Sequence, residues 1–334
     1  MKHLIKKIEN GLLPDITQLD SDERSWFKNI SELNIKEIEQ DYAEEYIFHS
    51  PKNIQIKLNA ITLTETLNYT EHELSLCYQV MCIQNGITWN MQNPFVSFDY
   101  LGYRATLIHQ SALKDSQHKL FLRVINKNVF HCSNFAFNLK KAQSIISQKK
   151  NVLVVGSTGS GKSSFINSLL SHCPEDEHII IAEDTYELIS PHEQTTRFIA
   201  NPLSKNFSLA SYMSYAMRMR PDRIIIGELR SHEVIPFLLA INSGHNGLLS
   251  TIHANDCRDA INRIALLYKI YSESDIPYSV ILNLVTQNID EVIFLKDKKV
   301  TEHVKVLGSN EKNIFLEEVS SDTIESEDYL SMNV

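Results

Sequence analysis

The chain is sparing with glycine, cysteine and tryptophan: 334 residues hold ten, five and two of them. No apolar run approaches the 18 residues that a membrane-crossing helix needs. The start, Met-Lys-His-Leu-Ile-Lys-Lys, lacks the apolar stretch of a secretory signal. The cysteines (Cys77, Cys82, Cys132, Cys173 and Cys257) form no CxxC and no Cys/His cluster at zinc spacing. An odd, scattered set of thiols suits a reducing compartment, not a disulfide framework. A basic excess is missing as well. The formal net charge is −9, with 17 basic and 16 acidic side chains in residues 1–150 and 15 against 25 in residues 151–334. That argues against a domain that coats nucleic acid by counterion release. The expectation is a cytosolic protein, or one that reaches a membrane only through partners.

What is present suits two folded domains. Apolar residues make up 43% and charged residues 22%, enough for real cores and too apolar for a disordered chain. Candidate strands at 45–49, 53–58, 95–100, 103–109 and 119–124, with a helix over 71–84, predict a small α+β domain over 1–130. Residues 131–150 read as a linker and connecting helix. Next, Asn151–Val155 is a short β-branched run of the kind a buried parallel strand shows, and similar runs recur at 178–182, 223–226 and 248–252. Strand and helix in alternation predict an α/β domain over 151–310 with a parallel sheet covered on both faces. Residues 311–334 read as an acidic tail, since the last 18 positions hold six carboxylates and no Lys or Arg.

Six of the ten glycines fall between 156 and 247. Three of them belong to Gly156-Ser157-Thr158-Gly159-Ser160-Gly161-Lys162-Ser163, which matches G-x-x-x-x-G-K-[ST] after a β run and before the helix-compatible Ser164–Leu170. Such a loop curls its main-chain amides around a phosphate and points a helix N-terminus at the same anion. Lys162 is expected to reach the β- and γ-phosphates, and the Ser163 hydroxyl to ligate Mg²⁺. Guanine recognition adds Asn-Lys-x-Asp downstream, and none occurs after 163, so the nucleotide expected is ATP.

A strand with an acid at its carboxyl end should lie beside the P-loop strand. Two runs qualify, Ile179–Ala182 leading into Glu183 and Ile224–Gly227 leading into Glu228. One carboxylate can hold Mg²⁺ while the other orients or deprotonates the attacking water. Glu228 is read as the metal-side acid and Glu183 as the partner that activates water, with an exchange of roles left open. Residues 244–255 carry His245 and His253 around a further strand, with Thr251 and Asn255 near its end. His253, and less firmly His245, suits a sensor of the γ-phosphate; no third ligand accompanies the pair to make a metal site.

These motifs, in this order over about 100 residues, resemble the secretion or traffic ATPases of type II and type IV secretion, pili and conjugation. The matching segments are the P-loop, an acidic box Glu183-Asp184-Thr185-Tyr186-Glu187, the segment Met217–Arg230 and the histidine box Gly244–Asn255. Within that family the chain is most similar to the VirB11-type ATPases of type IV secretion. It lacks the tetracysteine insert usual in the type II and pilus-extension ATPases, and it has Thr185 where retraction ATPases typically carry Pro. The resemblance implies a RecA-like ATPase domain and a homo-hexamer on the cytoplasmic face of the bacterial inner membrane. It implies ATP between the two domains, Mg²⁺ as cofactor, and partners among the inner-membrane secretion components, with membrane association through them. No stable direct binding of nucleic acid is expected. The family also places N-terminal-domain arginines near the phosphates, and by position Arg104 and Arg123 match; Arg218, Arg220 and Arg230 are further candidates for phosphate or intersubunit contacts. The rival functions are pilus assembly or retraction, type II secretion, a nucleic-acid-stimulated motor, and an ATP-binding scaffold without turnover.

Overall fold

The computed structural model describes all residues except 59–60, 126–127, 191, 201–204, 274, 312 and 320–334. The chain divides into two units, residues 1–126 and 127–334. The first holds α1 (Lys2–Glu9), α2 (Ser21–Ser31), β1 (Glu45–Ser50), β2 (Asn53–Leu58), β3 (Ile61–Glu65), α3 (Glu71–Gln84), β4 (Phe95–Tyr100), β5 (Tyr103–Ile108) and β6 (Lys119–Val124). Period-two burial, strict in β4, builds one antiparallel sheet in the order β3-β2-β1-β6-β5-β4. The β4–β5 hairpin turns on Leu101 and Gly102, both at positive φ, the backbone that two-residue hairpin loops demand. α3 starts at a Thr70/Glu73 capping box. Its Leu74, Cys77, Tyr78 and Met81 pack on the inner row of the sheet, and its Leu76 and Val80 meet α1 and α2.

The second unit carries α4 (Leu139–Ser147), β7 (Val152–Val155), α5 (Lys162–Leu170), β8 (Ile179–Glu183), β9 (Thr195–Ile199), α6 (Leu209–Ala216) and β10 (Arg223–Ile226). After these come α7 (Val234–Asn242), β11 (Leu249–Ile252), α8 (Cys257–Tyr271), α9 (Tyr278–Asn288), β12 (Glu291–Lys296), β13 (Lys299–Ser309) and β14 (Ile314–Glu318). Its sheet runs β14-β13-β12-β7-β11-β10-β8-β9, parallel from β12 to β9 and closed by an antiparallel pair at the other edge. Alternate side chains of each central strand enter opposite cores. Leu153, Val155, Ile180, Ala182, Ile224 and Ile226 pack with α6–α9, whereas Val152, Val154, Ile179, Ile181 and Ile225 pack with α4 and α5. Burial on both faces explains why these strands read as unbroken apolar runs. Among the described residues no helix is long and apolar enough to cross a membrane.

Three expectations are corrected. The helix expected within 131–150 is present as α4, but the segment does more than link, because Cys132, Phe135, Phe137, Ala142, Ile145 and Ile146 are part of the core under the parallel sheet. Residues 314–318 are a sheet strand, not tail, because Ile314 is buried and pairs with Ser309; the remainder of the acidic segment, 320–334, lies outside the described residues. Finally, the neighbours of β7 are β11 and β12. The strand before Glu228 is one place further out and the strand before Glu183 two.

The edge of the sheet opposite the P-loop is held by charge. Arg223 is buried at 1% exposure, and its guanidinium donates to Glu177 at 2.9 and 3.1 Å and to Ile146 O at 3.0 Å. Gly247 lies over it at positive φ, where a Cβ would stand 2.6 Å from Nη1. Removing one partner of a buried pair strands the other charge, so Glu177→Ala is expected to cost about 3–5 kcal/mol. Urea unfolding followed by far-ultraviolet circular dichroism checks this, and an unchanged midpoint would contradict it.

Candidate active site

The cradle follows from where β7 ends. All four of its residues are buried, so the chain can expose functional groups only after Val155. There it turns through Gly156 at φ +152°, and a Cβ at this position would collide with the main-chain oxygen of Leu295 and crowd Ser160 Oγ. Gly161, at φ +96°, caps the start of α5. Only glycine adopts such a backbone without strain. The loop therefore delivers the first amides of α5, which have no intrahelical acceptors, to one concave turn. Ser160 Oγ is buried there without a hydrogen-bond partner among the described residues. A polyphosphate fits a cradle of this kind.

Lys162 is 8% exposed, and its Nζ donates to Gly156 O at 3.0 Å and Ser157 O at 2.8 Å. It also stands 3.4 Å from His253 Nδ1, one residue past β11. The other ring nitrogen, Nε2, lies 3.2 Å from Glu228 Oε1. Lysine can only donate, so a hydrogen bond between this pair needs Nδ1 to accept, which in the neutral ring leaves Nε2–H toward the carboxylate. Burial, and next the Lys162 charge, hold the imidazole below its ordinary pKa, against a hydrogen bond to the Gly156 main chain that raises it. Burial raises the Glu228 carboxyl, an effect opposed by Lys162 and reinforced by Glu187.

The strand ends are stitched together by hydrogen bonds to main-chain carbonyls. Gly227 N donates to Ala182 O, Thr251 Oγ1 to Gly227 O and Leu229 N to Thr251 O, all at 2.7–2.8 Å. A Cβ on Gly227 would sit 2.9 Å from Glu183 Cβ, so glycine lets β8 and β10 close up at this point. Arg230 forms an ion pair with Asp184 across the two loops, and the buried Glu233 accepts from Arg230 N and Ser231 N to fix the turn.

The two glutamates of the acidic box occupy different surroundings. Glu183 is 2% exposed; one oxygen accepts from the amides of Glu187 and Leu188, each at 2.9 Å, and the other pairs with Arg197 of β9. Burial raises its pKa against the pull of those donors. Both oxygens are thus committed to the protein. Glu187, by contrast, accepts from Ser163 Oγ at 2.8 Å, and its loop is held by Asn167, which donates to Glu187 O and accepts from Ile189 N. Sequence reasoning quoted Glu187 within its box without assigning it a role, and it missed Asn167 and Arg197. The spacing Ser163/Asn167 was the available signal, because residues four apart share a helix face.

His245 is not brought to this site. It lies before β11, at the opposite end of that strand from His253, and its main chain and ring contact Ala240 O at the end of α7. Arg218 and Arg220 are exposed and precede β10, on the side away from Glu228. Arg104 and Arg123 belong to the first unit, on the sheet face away from its core, and are directly opposed on β5 and β6. They sit within a row Lys57–Glu45–Arg123–Arg104–Asp99 that crosses five strands, in which Lys57 pairs with Glu45 at 3.0 Å and Arg104 with Asp99 at 3.4 Å.

As for the metal, Mg²⁺ takes oxygen donors and keeps waters and phosphates in its shell. Ser163, Glu187 and Glu228 supply such donors at the cradle, so the residues fit it. Among the described residues no group of three His, Cys, Asp or Glu side chains stands close enough to hold a metal unaided.

A family model described as Type II/IV secretion system protein matches residues 113–315. Curated relatives include the type IV secretion system protein VirB11 of Bartonella henselae, 34% identical over 166 residues, which are 49% of this chain and 44% of the relative. PtlH, a type IV secretion system protein of Bordetella pertussis, is 34% identical over 153 residues, 44% of this chain and 45% of its own. The match spans less than half the length of these relatives. Two solved structures share the fold. The pilus retraction motor PilT with bound ADP is 19% identical at TM-score 0.60, over 86% of this chain and 82% of its own. The ATPase DotB of Legionella pneumophila is 17% identical at TM-score 0.58, over 86% and 79%.

If Glu183 is a loop-holding carboxylate, Glu183→Ala should cost about 1–3 kcal/mol by stranding buried donors. Glu187→Gln should stay within about 0.5 kcal/mol of the native protein. Denaturant unfolding of both variants decides; a native-like midpoint for Glu183→Ala would refute the assignment.

Proposed function

The chain belongs to the Type II/IV secretion system protein family, and from that membership and the geometry of its site we propose an ATP-hydrolysing motor that serves a type IV secretion apparatus. The observation that carries the proposal is the chain Lys162–His253–Glu228, which joins the phosphate cradle to a half-buried acid through one imidazole. The curated relatives point to type IV secretion, whereas the likeness to a pilus retraction motor lies at 19% identity and is one of fold.

In this proposal the amides of residues 157–163 bind the triphosphate, and Lys162 exchanges the carbonyls of Gly156 and Ser157 for phosphate oxygens. Ser163 and Glu228 hold Mg²⁺, which when bound neutralises charge on the phosphates. For the acid that readies water, Glu187 replaces Glu183, since Glu183 has both oxygens engaged and Glu187 contacts Ser163 at the cradle. His253 senses occupancy: when Lys162 leaves Nδ1, the imidazole loses one partner and its hold on Glu228 changes. Arg104 and Arg123, flanked in their row by Asp99 and Glu45, match by position the arginines that the family places near the phosphates. We assign them to a phosphate of bound ATP in the assembled ring. A homo-hexamer at the cytoplasmic face of the inner membrane, docked through secretion partners, completes the proposal. Supporting self-association, α8 exposes Leu266 and Ile270 one turn apart, at 52% and 56%.

Lys162→Ala is expected to abolish phosphate release while circular dichroism stays native; unchanged turnover would remove the assigned site. Glu228→Gln should bind ATP nearly as well as the native chain and hydrolyse it at least ~10²-fold more slowly, as expected when a group acting on the proton or the metal is lost. Glu187→Gln should show the same split. Because burial raises the Glu228 carboxyl, the acid limb of the kcat/KM profile should lie above the ordinary glutamate range near ~4.3. A limb at or below that value would deny that Glu228 must be ionised for turnover.

A further inference from the structure

The pairing of β10 with β11 ends at Ile226 opposite Ser250, before the chain reaches Glu228. Peptide groups buried past that point need other hydrogen-bond partners. One residue serves both peptide groups that flank the acid. Thr251 Oγ1 donates to Gly227 O at 2.7 Å, and Thr251 O accepts from Leu229 N at 2.8 Å. Gly227 O belongs to the peptide before Glu228 and Leu229 N to the peptide after it. One position earlier, Ser250 Oγ donates to Ile226 O at 2.9 Å. Consecutive hydroxyls of β11 therefore hold the consecutive carbonyls that lead from β10 to Glu228.

A hydroxyl at this end of β11 could in principle have met a phosphate. Thr251 is 2% exposed, however, and the single proton of its hydroxyl goes to Gly227 O. The same stretch of chain meets the side chain of Glu228 through His253, whose Nε2 lies 3.2 Å from Oε1. Residue 251 thus sets the main chain of the acid while residue 253 faces its carboxylate. A reacting group works only when held to within about 0.5 Å of its productive place by fixed neighbours. Two bonds, one on each side of the Glu228 Cα, give that hold. We propose that Thr251 is the positioning residue for Glu228, aiming the carboxylate by clamping residues 227–229. The role rests on Glu228 acting in turnover.

The test measures steady-state phosphate release by the full chain with ATP and saturating Mg²⁺. Thr251→Val keeps the size and branching of the side chain and removes only the hydroxyl. It should lower kcat at least ~10-fold, since small misplacements of a reacting group are costly. KM for ATP should stay within ~3-fold, because the bond acts on Glu228 and not on nucleotide binding. Thr251→Ser, which keeps the donor, should hold kcat within ~3-fold of the native chain. If Thr251→Val does not fold by circular dichroism, Thr251→Ala removes the same donor without a new methyl beside the carbonyl. The decisive comparison is with Glu228→Gln. A residue that acts through Glu228 should cost little once that acid is gone, so adding Thr251→Val to Glu228→Gln should slow it by less than ~3-fold. A native kcat for Thr251→Val overturns the proposal, as does an equal loss in Thr251→Ser. So does a full second loss in the double variant, which would mark Thr251 as a structural residue. Failure of the underlying reading looks different: Glu228→Gln alone would then turn over like the native chain, and the role of Thr251 would fall with it.

Discussion

The site depends on where one buried ammonium finds its partners. Lys162 starts a helix whose side chains pack under the sheet, so its charge is taken out of water with the rest of α5. Such a charge is tolerated only where it is hydrogen-bonded and balanced. Two loop carbonyls and the ring of His253 provide the bonds, and Glu228 beyond the ring provides the balance. Each of those groups is fixed by something else: the carbonyls by the Gly156 turn, His253 by the end of β11, Glu228 by the Gly227 junction with β8. A shift at any of them changes the surroundings of Lys162.

Two-sided burial of the sheet explains why the chemistry gathers at one edge. Inside the strands most side chains are claimed by one core or the other, and the polar exceptions Ser250 and Thr251 are recompensed by hydrogen bonds to the carbonyls of Ile226 and Gly227. The first residues past the carboxyl ends are the first ones released from that demand. Glu183 and Gly227 stand at those ends, with His253 and Glu228 one and two residues beyond β11 and β10. The opposite edge shows the same logic with another outcome, because Arg223 is buried there against Glu177 and serves structure.

This edge was legible in the sequence because phosphate binding needs glycine at fixed spacing and a chain this poor in glycine makes the spacing conspicuous. The strands β7, β8, β10 and β11 were legible for the same physical reason that they are buried. The strand order was not, since adjacency depends on which crossover passes over which strand, and short apolar runs look alike. That is why Glu183 and Glu228 were expected beside β7 when β11 lies there. β9, β13 and β14 were missed because they lie toward the edges, with mixed burial, and β12 was missed although it is a mostly buried apolar run beside β7. The helix within 131–150 was legible but was read as connecting, because a short amphipathic helix looks the same whether it connects domains or roofs a sheet.

Glu183 and Glu187 illustrate the limit of motif reading most sharply. The motif supplies two carboxylates four residues apart and no means of ranking them. Ranking needs the hydrogen-bond inventory: an ionised carboxylate has two oxygens, and Glu183 spends one on a pair of amides and the other on Arg197. Freeing it would strand two buried donors and a guanidinium also stacked on Tyr186, so its geometry is held by everything around it. Glu187 is carried on the loop that Glu183 pins, and reaches the Ser163 hydroxyl by virtue of that pinning. One acid therefore builds the platform and the other stands on it.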